Sequence, residues 1–576
     1  MNISQFIVET LLGYKCKRDF KRLESLMTSL YGKNEVLGED DAKQPFAAKT
    51  HNGIFVGQCV DGVLSYKGIP YAQPPVGDLR WRAPQPAPES NVVRQAFYFG
   101  KSAIQTKSPK LRASFYPQSE DCLTLNIWTA QTDDLSSAKR PVMVFIHGGN
   151  YCWGGTSDPL FDGHNFVVAH PGVVLVTINY RLAIMGFLDL TNFKGGEDYK
   201  DSCNLGLLDQ IEALRWIHRN ISNFGGDADN VTIFGESAGG GSVSLLPLID
   251  SAKGLFRRAI VESGSPAFTC TKEDAKFLTN RMRELTGIDS VDQLMKLSER
   301  QLMRLNQLVG VHNRFPMRDG RIIPLDPYAS YREGKAKDVD LLIGTNKDES
   351  RYWIYNFGSL TLFRLGLNVW YENIVKGLRK SEKAKLDSFT MRYPKGKFWG
   401  RVELINELMF RIPAIETAAA HASSGGKTFM YYWTQQAAMS HVGACHCVEL
   451  AYVFNNLDET IYTGPGINVE LAHEVQRMWV NFAKTGNPST DAHPWPEYDS
   501  KSRDTLLLGK QICDFEDPHP QQRMLVKPLV SRYISTLFDR LDLNVPYIRK
   551  WVVGAVATAI LTTAFAKHIC NSKNKH

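Results

Sequence analysis

The sequence predicts an α/β fold in which helices flank a mostly parallel central sheet. Apolar runs typical of buried strands lie at 141–147, 172–180, 231–237, 339–346 and 428–433. The segment between the second and third runs is a predicted helix, because apolar residues recur there at steps of three and four: Leu205, Leu208, Ile211, Leu214, Ile217 and Ile221. Strands that are apolar on both faces and alternate with helices indicate a parallel sheet covered on each side.

The chain of 576 residues is 43% hydrophobic and 22% charged, which is typical of a globular protein with a large core. We expect three segments. Residues 1–45 form a polar extension with helical character, residues 46–540 form the α/β domain, and residues 541–576 form a C-terminal tail. No internal repeat or low-complexity tract interrupts this organisation.

The charge balance excludes a nucleic-acid-binding protein. The 67 Lys and Arg residues exceed the 60 Asp and Glu residues by only 7, and much of the excess lies near the two ends. The ten cysteines are scattered. Cys445 and Cys447 form a C-x-C pair, but no second pair stands nearby at zinc-ligand spacing, so no metal site is expected.

The expectations about localisation come from the two ends of the chain. The first twenty residues lack a basic region followed by an apolar run and a cleavage site, so we expect no cleaved signal peptide and a location on the cytoplasmic side. Residues 551–566 contain no charge and have basic flanks. A helix formed by these residues would be about 24 Å long, which is consistent with either a membrane anchor or a docking helix. The anchor is slightly favoured, because the segment shows no polar stripe beyond threonines.

Ser237 is the candidate nucleophile. It lies in "FGESAGGGS", which follows a predicted strand and precedes a predicted helix. A strained turn between strand and helix is what a nucleophile elbow requires, and Gly235 and Gly239 stand where a side chain would collide with the adjoining elements. The alternative is a tight turn without chemistry.

The candidates for the other two catalytic positions follow later strands. Glu349 comes just beyond the strand at 339–346, and the segment after the strand at 428–433 contains His441 and His446. In an open α/β sheet, reactive groups collect at the carboxyl ends of strands. The order Ser, Glu, His is that of the α/β-hydrolase fold, in which an imidazole activates the serine and a carboxylate orients the imidazole.

A glycine-rich loop, "FIHGGNYCWGG", follows the first strand and is the candidate oxyanion hole. Exposed amides of Gly148 and Gly149, together with the amide of Ala238, are the expected donors. Each such amide contributes on the order of 3 kcal/mol to the stabilisation of the transition state.

Taken together, these segments resemble the type-B carboxylesterase family of α/β-hydrolases, with the para-nitrobenzyl esterase branch nearest in appearance. The resemblance covers about 49–539 and rests on six motifs in order: "YKGIPYAQPPVGDLRWRAP", "SEDCLTLNIW", "FIHGGNYCWGG", "NYRLAIMGFL", "FGGDADNVTIFGESAGG" and "GACHCVELAYVF". It implies Ser237 as nucleophile, Glu349 as acid and His446 as base, with His441 a bystander.

The chain also departs from the family pattern at specific positions. Asn150 replaces the third glycine of the oxyanion loop, and asparagine tolerates positive φ better than other non-glycine residues. The resemblance implies a disulfide at Cys122 in secreted members, but Ala103 stands where its partner would be, and Cys270 is single in the second family loop. Arg112 replaces the tryptophan with which cholinesterases hold choline, which argues against choline esters.

These expectations describe a serine carboxylic-ester hydrolase that forms an acyl-enzyme with a small-molecule ester substrate and needs no metal or organic cofactor. Two alternatives remain open at this stage. A catalytically silent adhesion or scaffold module shares the fold, and an amidase or thioesterase uses the same machinery. The oligomeric state and the natural ester do not follow from the sequence.

Overall fold

The structure is a computed structural model of the chain. It describes residues 30–105, 116–309, 315–352, 378–437, 442–457 and 467–533, together with isolated positions between 364 and 375. Side chains are described as far as Val526 and Lys527 in the last helix. The candidate anchor at 551–566, Arg112 and His441 lie outside the described residues.

The described strands are numbered in chain order. They are β1 (Ala47–Thr50), β2 (Asn52–Val56), β3 (Gln58–Val60), β4 (Val63–Pro70), β5 (Ser90–Gln95), β6 (Ser102–Ala103), β7 (Gln118–Ser119), β8 (Thr124–Ala130), β9 (Arg140–Ile146), β10 (Val174–Ile178), β11 (Gly226–Glu236), β12 (Arg258–Glu262), β13 (Asp340–Asn346), β14 (Thr428–Trp433), β15 (Asp504–Leu508) and β16 (Cys513–Glu516).

The described α-helices lie mainly between the strands of the central sheet. They are His164–Ala169, Ala183–Phe187, Leu205–Asn220, Ala238–Leu245, Lys272–Thr286, Val291–Met295, Glu299–Val309, Pro327–Arg332, Lys380–Arg392, Lys397–Asn406, Ile412–Ser423, Leu450–Phe454, Val469–Thr485 and Pro520–Tyr533. A π-helical turn, Glu407–Arg411, joins two of them. Short 3₁₀ turns include Glu39–Lys43, Ile221–Phe224 and Glu349–Arg351.

The central sheet has eleven strands in the order β16-β15-β14-β13-β12-β11-β9-β10-β8-β4-β3. Seven consecutive strands, from β15 to β10 in this order, pair in parallel, and the outer strands at both edges are antiparallel. The predicted mostly parallel sheet with flanking helices is therefore confirmed. The antiparallel strands β3, β4, β8 and β16 were not among the predicted ones.

Burial explains why the predicted strands stood out in the sequence. All five residues of β10 and all five of β12 are buried, so both faces of these strands contact the core. Helix Leu205–Asn220 has a buried apolar face, as its spacing predicts. Covering both faces of a parallel sheet removes its apolar side chains from water, which is the main stabilising contribution to such a fold.

The register of the parallel strands brings their carboxyl ends to one edge of the sheet. The last residue of β9, Ile146, pairs with Gly235, and Glu236 at the end of β11 pairs with Glu262 at the end of β12. At the end of β13, Asn346 pairs with Trp433. The segments that follow these strands therefore start close together, as the location of the candidate site requires.

Two buried ion pairs hold loops against this framework. Arg181, just after β10, donates from Nε and Nη2 to Asp209 in helix Leu205–Asn220, at 2.8 and 2.6 Å. Arg80 donates in the same bidentate way to Glu120, at 2.5 and 2.6 Å. Removing one partner of such a buried pair would leave the other charge uncompensated, at a cost of about 3–5 kcal/mol.

The boundaries 1–45, 46–540 and 541–576 stay predictions. In the described part of the first segment, Glu39–Lys43 forms a 3₁₀ turn, and strand β1 begins at Ala47. Across the described ranges, no helix is both long enough and apolar enough to cross a bilayer. The eight cysteines in these ranges, Cys122 and Cys270 among them, are free thiols.

Candidate active site

Ser237 lies in a strained turn at the carboxyl end of β11. Its backbone has φ +58° and ψ −121°, which is unusual for a residue with a side chain. The Ser237 amide donates to the carbonyl of Glu262 at 2.9 Å, and the Ser237 carbonyl accepts from Gly241 at 2.8 Å in the following helix. Strand pairing on one side and the helix on the other hold this conformation, which is the geometry of a nucleophile elbow.

The glycines on either side of Ser237 allow close contact with the end of β9. A Cβ atom on Gly235 would lie 2.6 Å from the carbonyl oxygen of Ile146, and one on Gly239 would lie 1.9 Å from the same oxygen. A side chain at either position would therefore collide with the adjoining strand, as the sequence predicts. The contact partner is backbone of the central sheet, which cannot move aside as a flexible side chain could.

We expect Gly239→Ala to lower the free energy of unfolding by about 3 kcal/mol, because its methyl group would overpack the interface between helix and sheet. Thermal or urea unfolding would measure the loss. Gly172→Ala is the matched control, because a Cβ atom there would meet nothing nearer than Lys484 Nζ at 3.8 Å. Equal stability of the two variants would contradict the packing argument.

Glu349 and His446 form a direct hydrogen bond although 97 residues separate them in the chain. The distance between His446 Nδ1 and Glu349 Oε2 is 2.6 Å, and both side chains are buried. The other carboxylate oxygen of Glu349 accepts from the backbone amide of Asn346 at 2.7 Å. The carboxylate is therefore fixed at both oxygens and can hold the imidazole in one orientation and one tautomer.

A second carboxylate, that of Glu236, lies on the opposite side of the imidazole. Glu236 Oε1 lies 3.1 Å from His446 Nε2 and also accepts a hydrogen bond from the thiol of Cys447 at 3.1 Å. Rings of Phe410 and Tyr352 pack against the imidazole at centroid distances of 4.9 and 5.7 Å. The imidazole thus has a carboxylate near each nitrogen and aromatic side chains beside it.

These neighbours shift the ionisation of the buried groups. Burial lowers the pKa of His446, but the Glu236 and Glu349 carboxylates outweigh burial and raise the pKa above its ordinary value. Burial raises the pKa of Glu236 to about 7, against the opposing effect of His446. Burial also raises the pKa of Glu262 to about 8 and that of Glu449 well above its ordinary value.

The candidate oxyanion loop runs beside Ser237. A Cβ atom on Gly148 would lie 3.1 Å from the Cβ atom of Ser237. Gly149 has φ +103°, and its carbonyl accepts from Cys152 and Trp153 at 2.9 and 3.0 Å, which closes a tight turn. Asn150 has φ +54°, within the left-handed region that asparagine tolerates. The amide of Ala238 belongs to the first turn of the helix after Ser237.

The structure therefore brings together the predicted residues of the β9, β11, β13 and post-β14 loops. Sequence reasoning missed three buried polar residues around them: Glu236, Glu449 and Asn346. The side-chain amide of Asn346 donates to Glu449 and, at 2.9 Å, to the carbonyl of Cys445. A signal was available for Glu236, because a carboxylate at the end of the buried run 231–236 needs a partner.

Comparison with known proteins identifies the family. The sequence model of the carboxylesterase family matches residues 44–525. The para-nitrobenzyl esterase of Bacillus subtilis (strain 168) is 37% identical over 497 residues, which cover 83% of this chain and 98% of that protein. Carboxylesterase 1D of Rattus norvegicus is 32% identical over 497 residues, covering 76% of this chain and 84% of that protein.

Structural comparison identifies the same family. The carboxylesterase of Geobacillus stearothermophilus superposes with a TM-score of 0.74 at 33% identity, over 83% of this chain and 99% of that one. The architecture of the central sheet is thus that of the α/β-hydrolase fold. On these grounds the chain belongs to the carboxylesterase family and is a carboxylesterase-type hydrolase that acts on carboxylic esters.

Proposed function

We propose that this carboxylic-ester hydrolase works through a serine acyl-enzyme, with Ser237 as nucleophile, His446 as general base and acid, and Glu349 as the group that orients His446. The observation that carries the proposal is the 2.6 Å hydrogen bond between His446 Nδ1 and Glu349 Oε2, in a site that also contains the strained turn of Ser237. The order of the three groups along the chain is that of α/β-hydrolases.

In the first half of the reaction, Ser237 Oγ attacks the ester carbonyl while His446 Nε2 takes the hydroxyl proton. The resulting imidazolium is stabilised by Glu349 at Nδ1 and then gives its proton to the departing alcohol. In the second half, His446 removes a proton from water, which attacks the acyl carbonyl, and the imidazolium returns that proton to Ser237 Oγ as the acid leaves. Glu349 holds the imidazole in both halves and compensates the positive charge that forms on it.

The amides of Gly148, Gly149 and Ala238 are the proposed donors to the oxyanion. The packing of Gly148 against the Ser237 side chain supports this assignment, since an oxyanion formed on the attacked carbonyl would lie within reach of the loop. A small-molecule carboxylic ester is the substrate class. Amides and thioesters use the same groups, and the relative rates on matched ester, amide and thioester substrates would rank the three classes.

The direct test is to trap the acyl-enzyme. A slowly released acyl ester or a fluorophosphonate should add one acyl or phosphonyl mass to the protein, and peptide mapping should locate that mass on Ser237. A burst of the first product in rapid kinetics should match the amount of labelled enzyme. A well-folded protein that hydrolyses esters without labelling at Ser237 would refute the mechanism, and one that does neither would favour the scaffold alternative.

We expect the rate to fall at acidic pH, because only neutral His446 can accept the serine proton. Because the pKa of His446 is raised, kcat/KM should increase with pH through a midpoint above the ordinary pKa of histidine. Glu236→Gln removes the largest raising contribution, so the midpoint of the acidic limb should move to lower pH. Profiles of kcat/KM against pH for wild type and variant would measure the shift.

Glu262→Gln is the matched control for this profile. Glu262 is equally buried, but its carboxylate accepts from the indole of Trp479 at 2.7 Å, and the carboxylates that raise the pKa of His446 are those of Glu236 and Glu349. Its acidic limb should therefore coincide with that of the wild type. An unchanged midpoint in Glu236→Gln would show that Glu236 does not set the ionisation of the base.

A further inference from the structure

Three atoms with metal-binding chemistry converge beside the proposed base. They are His446 Nε2, Glu236 Oε1 and Cys447 Sγ, and all lie within 4.8 Å of one another. Two of the separations are 3.1 Å, from Glu236 Oε1 to His446 Nε2 and from the same oxygen to Cys447 Sγ. In the described part of the chain, this is the group of histidine, cysteine and acidic residues that meets such a distance requirement.

The two known separations are near those of ligands around a four-coordinate zinc ion. Bonds of about 2.0–2.1 Å to nitrogen or oxygen and about 2.3 Å to sulfur correspond to ligand separations of roughly 3.3–3.6 Å in a tetrahedron. The two separations of 3.1 Å lie slightly below this range and the third is no more than 4.8 Å, so small side-chain rotations would bring the three atoms to zinc-binding distances. Imidazole with thiolate and carboxylate is a ligand set for zinc and similar ions, whereas Mg²⁺ and Ca²⁺ prefer oxygen alone.

The surroundings of the three atoms also favour a cation. The carboxyl groups of Glu262, Glu349 and Glu449 are buried in the same region, and a divalent cation would offset the repulsion between such groups. Residue Cys447 is partly exposed while Cys445 is fully buried, so Cys447 is the member of the C-x-C pair that lies nearer to solvent.

We propose that Glu236, His446 and Cys447 form an inhibitory site for Zn²⁺ or a similar thiophilic divalent cation. Binding forms bonds from the metal to Nε2, to a Glu236 carboxylate oxygen and to the Cys447 sulfur, whose proton leaves to solvent. A water molecule completes the fourth position. The lone pair that would accept the Ser237 proton is then held by the metal, so ester hydrolysis stops. Inhibition rests on the proposed role of His446, but metal binding does not.

The activity test compares zinc inhibition in three proteins. Zn²⁺ should inhibit the wild type and slow its fluorophosphonate labelling, EDTA should restore both, and Mg²⁺ should have no effect. For each protein, the half-inhibitory zinc concentration is measured relative to the rate without zinc. This concentration should rise at least about 10-fold in Cys447→Ser, because losing a direct ligand weakens metal binding at least as much as losing a hydrogen-bonding partner of a ligand. Cys513→Ser, which removes an exposed thiol elsewhere, should match the wild type.

Metal binding itself is measured without relying on catalysis. Co²⁺ added to Ser237→Ala should produce a cobalt–thiolate absorption band, and titration calorimetry should give one zinc site. Both signals should be lost on adding Cys447→Gly, a substitution that suits the backbone because Cys447 has φ +68°.

The outcomes separate this proposal from the proposed function. A thiolate band without inhibition of the wild type would keep the metal site and reject His446 as the base. The metal site would be overturned if zinc inhibited the wild type, Cys447→Ser and Cys513→Ser equally, or if no Cys447-dependent band appeared. Either result would hold independently of the catalytic mechanism.

Discussion

Replacing Ser237 by alanine is expected to lower kcat/KM for a p-nitrophenyl ester by about 10⁵–10⁶-fold. The hydroxyl oxygen is the atom that would form the acyl bond, and the methyl group of alanine cannot form that bond. The residual rate should come from binding and from the oxyanion donors alone. Fluorophosphonate labelling should disappear together with activity.

Ser242→Ala is the matched control for this experiment. Ser242 is a buried serine in the same glycine-rich stretch, and its hydroxyl accepts from the side-chain amide of Gln210 at 3.1 Å. Its loss should cost about 1 kcal/mol of stability and leave labelling at Ser237 intact. If Ser237→Ala folded normally and kept more than about 1% of wild-type kcat/KM, the acyl-enzyme mechanism would be wrong.

The central fold could be predicted because its strands are apolar on both faces. Strands such as β10 and β12 bury every residue, so they stand out from the sequence as short apolar runs. The candidate catalytic positions followed from a general property of parallel sheets: their strands end at one edge. Ser237 and Glu349 each lie within a few residues of such an end, so that a one-dimensional pattern sufficed to group them.

The remaining features depend on contacts that no local pattern contains. The edge strand β3 has only three residues, and the pairing of its neighbour β4 with β8 shifts register between Tyr66 and Ile69. The contact between Glu236 and the Cys447 thiol joins residues 211 positions apart. Sequence spacing had assigned Cys447 to an isolated C-x-C pair, and only the loop after β14 brings its sulfur near two other candidate ligands.

A substitution of Glu349 is expected to cause the second large loss of activity, because the proposed base His446 depends on this carboxylate. The carboxylate is acceptor-only, so it can bind only a protonated Nδ1 and leaves Nε2 as the acceptor for the serine proton. A glutamine at this position can instead present its amide group to Nδ1. That contact would favour the other tautomer, in which Nε2 carries the proton and cannot act as a base.

We therefore expect Glu349→Gln to lower kcat by about 10⁴-fold while KM changes little, because the lost interaction grows as positive charge forms on His446. Steady-state kinetics on the same ester would measure both constants. Glu262→Gln, equally buried but hydrogen-bonded to Trp479, should stay within about 10-fold of the wild type. If the two variants lost activity equally, the effect would come from disturbing the buried carboxyl groups in general, and Glu349 would have no specific role in orienting His446.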